Sequence, residues 1–255
     1  MLVSGNTKLA SDLVNKIKAD LPSDLDLHSH VVLSLADQDD EQRIYHLKYL
    51  LDHAEYKNFA SRALASYYFK YQYYQQCVEY AKHHSNMRND SEILEMLVEC
   101  YAKLGHWDEF DDVVSKFISC VATPNKHMVG TISEGYFRAA QAVLESENNE
   151  RAVSYLELAL LHKPDMLEAV ELLCHLNIND GRAAVNKDFI ENAFAISPSL
   201  ELCILYQKST KFTNGQIYSQ LSSLIDHRKN VTVFLTIASY LSLKDEVREL
   251  KELII

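Results

Sequence analysis

Glycine and proline are scarce in this chain, 6 and 4 among 255 residues. Folds made of many short strands need far more of both to punctuate their turns, so an all-β sandwich or barrel is excluded. Basic residues are outnumbered as well, with 25 Lys and Arg against 36 Asp and Glu, a formal net charge of -11, and no basic run. That removes the clustered cationic footprint a nucleic-acid binder needs to neutralise phosphate. The five cysteines, Cys77, Cys100, Cys120, Cys174 and Cys203, are odd in number and show no CxxC spacing. They read as reduced, buried thiols rather than a disulfide framework or a zinc ribbon. No run of 18 apolar residues occurs, and the opening MLVSGNTKLASDL lacks the charged-then-apolar layout of a signal peptide, so this chain reads as soluble. GxSxG, GxxxxGK[ST], HExxH and GxGxxG are all missing. With no motif to position a nucleophile, a phosphate cradle or a metal, the expectation is a protein that is not an enzyme and holds no cofactor.

What is present is 47% hydrophobic content, interspersed charge, and Leu, Ala, Glu and Tyr in abundance, a balance that favours helices around a core. The stretch YAKLGHWDEFDDVV (101–114) holds the single tryptophan, a glycine, a histidine and four carboxylates. It has an echo in YFKYQYYQQCVEY (68–80), which starts 33 residues earlier, with Tyr74 opposite Trp107. Further on, NNERAVSYLELALLHKP (148–164) and AAVNKDFIENAFAISP (183–198) end in prolines 34 residues apart. A period near 34 with punctuated ends is the tetratricopeptide pattern, in which each unit is a pair of antiparallel helices. In this register Gly5, Gly105, Gly181 and Gly215 fill the turn slot, and Pro22, Pro164 and Pro198 fill the end slot, with Pro124 two residues past it.

The packing slot of the second helix runs Ala10, Ile44, Cys77, Phe110, Ala152, Asn186 and Gln220, with one long step of 42 residues between Phe110 and Ala152. The fold expected is therefore all-α, a right-handed α-solenoid of six or seven helix pairs forming one domain over 1–255. A possible break lies near 117–135, and a terminal cap covers 231–255. Helices are expected near 6–20, 25–37, 40–54, 58–71, 74–85, 91–104, 107–121, 127–146, 149–162, 166–178, 183–195, 199–208, 214–227, 231–242 and 244–254. The first unit owns a second helix only, with Leu9, Leu13, Val14 and Ile17 on its apolar face, so preceding sequence is expected in a longer gene product.

The acidic cluster Asp108, Glu109, Asp111 and Asp112 after His106 reads as a solvated helix start, favoured by the helix dipole, and not as a metal site. Cys174 with His175, His28 with His30 and His83 with His84 lack the i,i+3 or i,i+4 spacing that brings helical ligands together, so no metal is expected. The register instead puts Arg62, Ser66, Phe69, Lys70, Glu95, Glu99, Phe137, Gln141, Glu171 and His175 on the inner, groove-facing side of the first helices. Phe69 and Phe137 would act there as apolar anchors, and Glu95, Glu99 and Glu171 as charge selectors. That acidic face fits a protein partner with a basic or amphipathic segment.

Four further stretches in this order, LGHWD (104–108), KPD (163–165), GR (181–182) and SPSLELCILY (197–206), resemble the cytosolic part of HemY-type proteins. These are tetratricopeptide proteins of the Gram-negative inner membrane associated with haem biosynthesis. The resemblance spans roughly residues 5 to 210. It implies a non-catalytic scaffold at the cytoplasmic face of a bacterial inner membrane, anchored by an N-terminal segment this chain lacks. The Tyr- and Asn-rich composition departs from the family's Ala, Arg and Leu bias. Two other functions fit the residues: a general adaptor in secretion or envelope assembly, and a haem or porphyrin carrier using His175 or a tyrosine as axial ligand.

Overall fold

Gln72, Gly105, Glu147, Gly181 and Ser242 are the residues with positive φ in the described chain, between 57° and 73°. Each is followed by a residue whose N–H reaches back five positions to a helix carbonyl: Tyr73 to Tyr68, His106 to Tyr101, Asn148 to Val143, Arg182 to Asn177 and Leu243 to Ala238. That is the Schellman cap, which ends a helix in the left-handed region and satisfies its last carbonyls. In a computed structural model of the chain, which describes residues 12, 16, 23–36, 39–85, 90–226 and 229–252, these five turns each join two helices into a hairpin.

The described residues form fourteen α-helices and no strand. They are α1 (Ser23–Ala36), α2 (Asp40–Leu51), α3 (Lys57–Lys70), α4 (Tyr74–Ala81), α5 (Ser91–Leu104), α6 (Trp107–Cys120), α7 (Lys126–Leu144), α8 (Asn149–His162), α9 (Leu167–Asn179), α10 (Asn186–Ile196), α11 (Leu200–Ser209), α12 (Asn214–Ser222), α13 (Val231–Tyr240) and α14 (Lys244–Glu252), with a short 3-10 turn at Ala183–Val185. The chain divides into two compact units, Met1–Pro124 and Asn125–Ile255. In the first, each helix packs on its successor, and α3 also touches α5. In the second, successive helices again pack together, and α11 touches both α9 and α13. The contacts between alternate helices, α3 with α5, α9 with α11 and α11 with α13, are what neighbouring hairpins give where their first helices lie side by side.

Local sequence explains the individual elements. In α5 the Asp90 carboxylate accepts from the N–H groups of Glu92 and Ile93, capping the helix start. Its buried residues Ile93, Leu94, Leu97, Val98 and Tyr101 recur every three or four positions, so one face enters the core. Gly105 then stops the helix at φ 71°, where any L side chain is strained. Trp107 opens α6 and meets Phe110 edge to face at 6.2 Å. Pro124, Pro164 and Pro198 fall between hairpins: Pro124 precedes the Asn125 cap of α7, and Pro198 precedes the Ser199 cap of α11. The 42-residue step of the packing slot is taken up by the connection after α6 and by α7, which has 19 residues.

The packing slot is fully buried at Cys77, Phe110, Ala152 and Asn186. It is half-buried at Ile44 and Gln220, where the neighbours His46 and Leu47, and Ile217 and Leu221, take the core instead. Gly215 is not a turn residue. Thr213 and Gln216 form a reciprocal capping box that starts α12 at Asn214, so the glycine lies in the first helical turn. In the last hairpin the left-handed residue is Ser242, and Lys244 opens α14. Four of the five cysteines are buried, but Cys120, at the end of α6, is exposed, because the last turn there leaves the core face. The helix expected at 6–20, with Gly5, Ala10 and Pro22, lies outside the described residues apart from Asp12 and Lys16, both exposed.

Candidate functional site

Helix α3 carries four of the groove candidates, and the structure separates their roles. Arg62 is committed: its guanidinium pairs with Glu92, and its Nη1 stands 3.4 Å from the Asp90 carboxylate, tying α3 to the start of α5. Phe69 is half-buried, whereas Ser66 and Lys70 are exposed one turn apart on the same side of the helix. Glu95 and Glu99 are half-buried on α5, which packs on α3. In the second unit, Phe137 and Glu171 are half-buried on α7 and α9, while Gln141 and His175 are exposed on those helices.

Ser66 and Lys70 border a cleft that the sequence did not announce. It has a volume of about 330 Å³ and lies between α1, α2 and α3. Ser34 and Leu35 contribute from α1, Arg43 and Leu47 from α2, and Phe59, Ala63, Tyr67 and Tyr71 from α3 and its cap. Leu47 is buried, while Leu35 and Tyr71 at the rim are 53% and 45% exposed. Asp40 organises one edge. Its Oδ1 accepts from Arg43 Nη2 at 2.6 Å, and its Oδ2 accepts from the hydroxyls of Tyr71 at 2.9 Å and Tyr67 at 3.4 Å. Those bonds to the carboxylate raise the Tyr71 hydroxyl above its usual titration range; for Tyr67 the largest cause is burial, with Asp40 adding to it. Lys70 Nζ sits 5.5 Å from the Tyr71 ring centroid, in cation–π range.

Beside the cleft, α1 and α2 are joined by two buried imidazoles, 3% and 5% exposed: His30 Nδ1 and His46 Nδ1 lie 2.8 Å apart. One nitrogen must carry the proton and the other accept it. Tyr49 stacks on His30 at 4.0 Å and donates to Asp26, whose other oxygen is 3.8 Å from His30 Nε2. Since His30 and Ser34 are one helical turn apart on α1, and His46 and Leu47 are neighbours on α2, this bond fixes two walls of the cleft. This pairing is not legible from spacing, because the two histidines are 16 residues apart.

A second buried polar group fills the packing slot of α10. Asn186 accepts from Asn177 at 2.8 Å and donates to the Cys174 carbonyl and to Ser209 Oγ, joining α9, α10 and α11. Cys174 lies beneath it, its thiol pushed up to about 12 by burial. This is a structural network with every named group satisfied and no reactive thiolate. Among the described residues no group of three or more His, Cys, Asp or Glu is placed to hold a metal ion. No described helix is long and apolar enough to cross a membrane.

No family model matches the chain. It is similar to an uncharacterized protein, RP472, of Rickettsia prowazekii (strain Madrid E), at 29% identity over 249 residues, which cover 94% of this chain and 72% of that protein. The likeness extends across both units and carries no statement of activity.

Proposed function

We propose that this protein is a non-catalytic scaffold, a right-handed solenoid of tetratricopeptide-like helix pairs, that holds a segment of another protein against the face shared by α1 and α3. The observation that carries the reading is the open cleft between α1, α2 and α3, with Leu35 and Tyr71 exposed at its rim. Aromatic and aliphatic groups left accessible around a preformed cavity are what a partner's side chain needs for anchorage, and Tyr loses little conformational freedom when held. The recurrence of one cap at five hairpins supports a repeated pair as the building unit. Glu95 and Glu99, half-buried on α5, which packs on α3, would add acidic character suited to a basic or amphipathic stretch of the same partner.

The narrower proposals, a partner in haem or tetrapyrrole synthesis and a place at the cytoplasmic side of a bacterial inner membrane, rest on the HemY-type resemblance alone. A haem titration separates the carrier alternative: a Soret shift abolished by His175→Ala would favour it over the scaffold. For the scaffold itself, random peptides displayed on phage are selected against the chain, and the selected peptides are bound to a chain carrying a photo-cross-linker at Tyr71. Cross-links on α1 to α3, together with loss of binding in Ala63→Trp, are the expected result. Selected peptides that bind Ala63→Trp unchanged and cross-link elsewhere would overturn the reading.

A further inference from the structure

We infer that the cleft between α1, α2 and α3 takes a bulky apolar side chain of a protein segment that carries a carboxylate beside it. This rests on the reading of that face as a protein-binding surface. A volume of about 330 Å³ is at the lower end of ligand-sized pockets, which run from about 300 to 1,000 Å³. It accepts one large side chain and not a whole helix. Leu47, Phe59 and Ala63 supply the apolar walls, so the group that enters is a Phe- or Leu-like one.

The polar half of the inference comes from charge. The chain has a net charge of -11, yet the two charged residues that line this cleft are both cations. Lys70 lies over the Tyr71 ring, and among the described residues no carboxylate pairs with it. Arg43 gives Nη2 to Asp40, but its Nε is buried without an acceptor. Asp40 itself is occupied by Arg43, Tyr67 and Tyr71, so it does not cancel the attraction of Lys70 for a second carboxylate. A segment with an apolar residue next to Asp or Glu satisfies the walls and the cations together, whereas one with Lys or Arg at that point meets like charge.

The test uses the full chain and short fluorescein-labelled peptides with one common polar framework and a central Phe-Glu, Phe-Gln, Phe-Lys or Ala-Glu, read by fluorescence anisotropy. Phe-Glu binds tightest. Ala-Glu is weaker by about tenfold through loss of the anchor, and Phe-Lys by roughly fivefold or more through charge. Lys70→Glu reverses the order of Phe-Glu and Phe-Lys. Ala63→Trp fills the cavity and weakens every Phe peptide; Tyr71→Ala at the exposed rim does the same to a lesser degree, with circular dichroism verifying that each variant is folded. Phe peptides that bind in an Ala63→Trp-sensitive way without preferring Glu, or without reversal in Lys70→Glu, would sink the inference and leave the scaffold reading standing. Binding insensitive to both cavity variants, or a chain that self-associates through this face and dissociates in Ala63→Trp, overturns the inference too, and the phage selection then decides the scaffold reading.

Discussion

His162 closes α8 with its ring parallel to that of Tyr136, the planes 2° apart and the centroids 6.2 Å apart. Burial there holds the imidazole below its ordinary value of 6.5, because the charged form loses hydration that nothing replaces. The unfolded chain therefore binds this proton more readily than the folded one. Stability from the neutral ring is fully present above 6.5 and is lost as pH falls from there through the lower folded value. An NMR titration of His162 should give a midpoint under 6.5, and His162→Gln should flatten the acid side of the stability curve; a midpoint at or above 6.5 contradicts this. At this scale the sequence spoke clearly for apolar positions. Cys77, Phe110 and Ala152 were assigned to the core by their period alone, and all three are fully buried. It was silent on the bond between His30 and His46 and on the Asn186 network, since polar groups buried by partners from other helices leave no periodic trace.

Helix positions were legible to within a few residues, because amphipathic spacing and caps act locally. The left-handed turns were legible only where glycine marks them. Gly105 and Gly181 occupy the slot as read, but Gln72, Glu147 and Ser242 adopt the same conformation without the residue that suits it. An L side chain in that region costs about 1–2 kcal/mol, partly offset in a comparison with glycine by the greater freedom glycine loses on folding. Gln72→Gly and Glu147→Gly should therefore each raise stability by about 0.5–1 kcal/mol in urea unfolding, while Gly105→Ala lowers it by about 1 kcal/mol. Unchanged midpoints in all three would mean that these turns relax elsewhere at no cost. The cleft belongs to this scale as well. Helical position marks Phe69 as an anchor, whereas Phe59, Tyr67 and Tyr71 line the cavity, because its opening is set by how α1 and α2 meet α3.

For the whole molecule, the division between Pro124 and Asn125 means that each unit has its own core: Leu64, Ile93, Leu97 and Phe110 in the first, Met128, Leu156, Phe194, Tyr206 and Phe234 in the second. A fragment of residues 125–255 should then fold alone, with helical circular dichroism and a cooperative thermal transition. A fragment that is unfolded or melts without cooperativity would show that its helices depend on the rest of the chain. The sequence by itself determined that the chain is built of helices, where most of them lie to within a few residues, and many of the apolar positions that form the core, because hydrophobic period, caps and the scarcity of glycine and proline are properties of neighbouring residues. Only the tertiary structure decided which polar groups are spent and which are offered. Arg62 is consumed by Asp90 and Glu92, Asp40 by Arg43 and two tyrosines, and Lys70 is left at the mouth of a cleft. Those outcomes depend on charges brought together from different helices, at distances that no local pattern encodes.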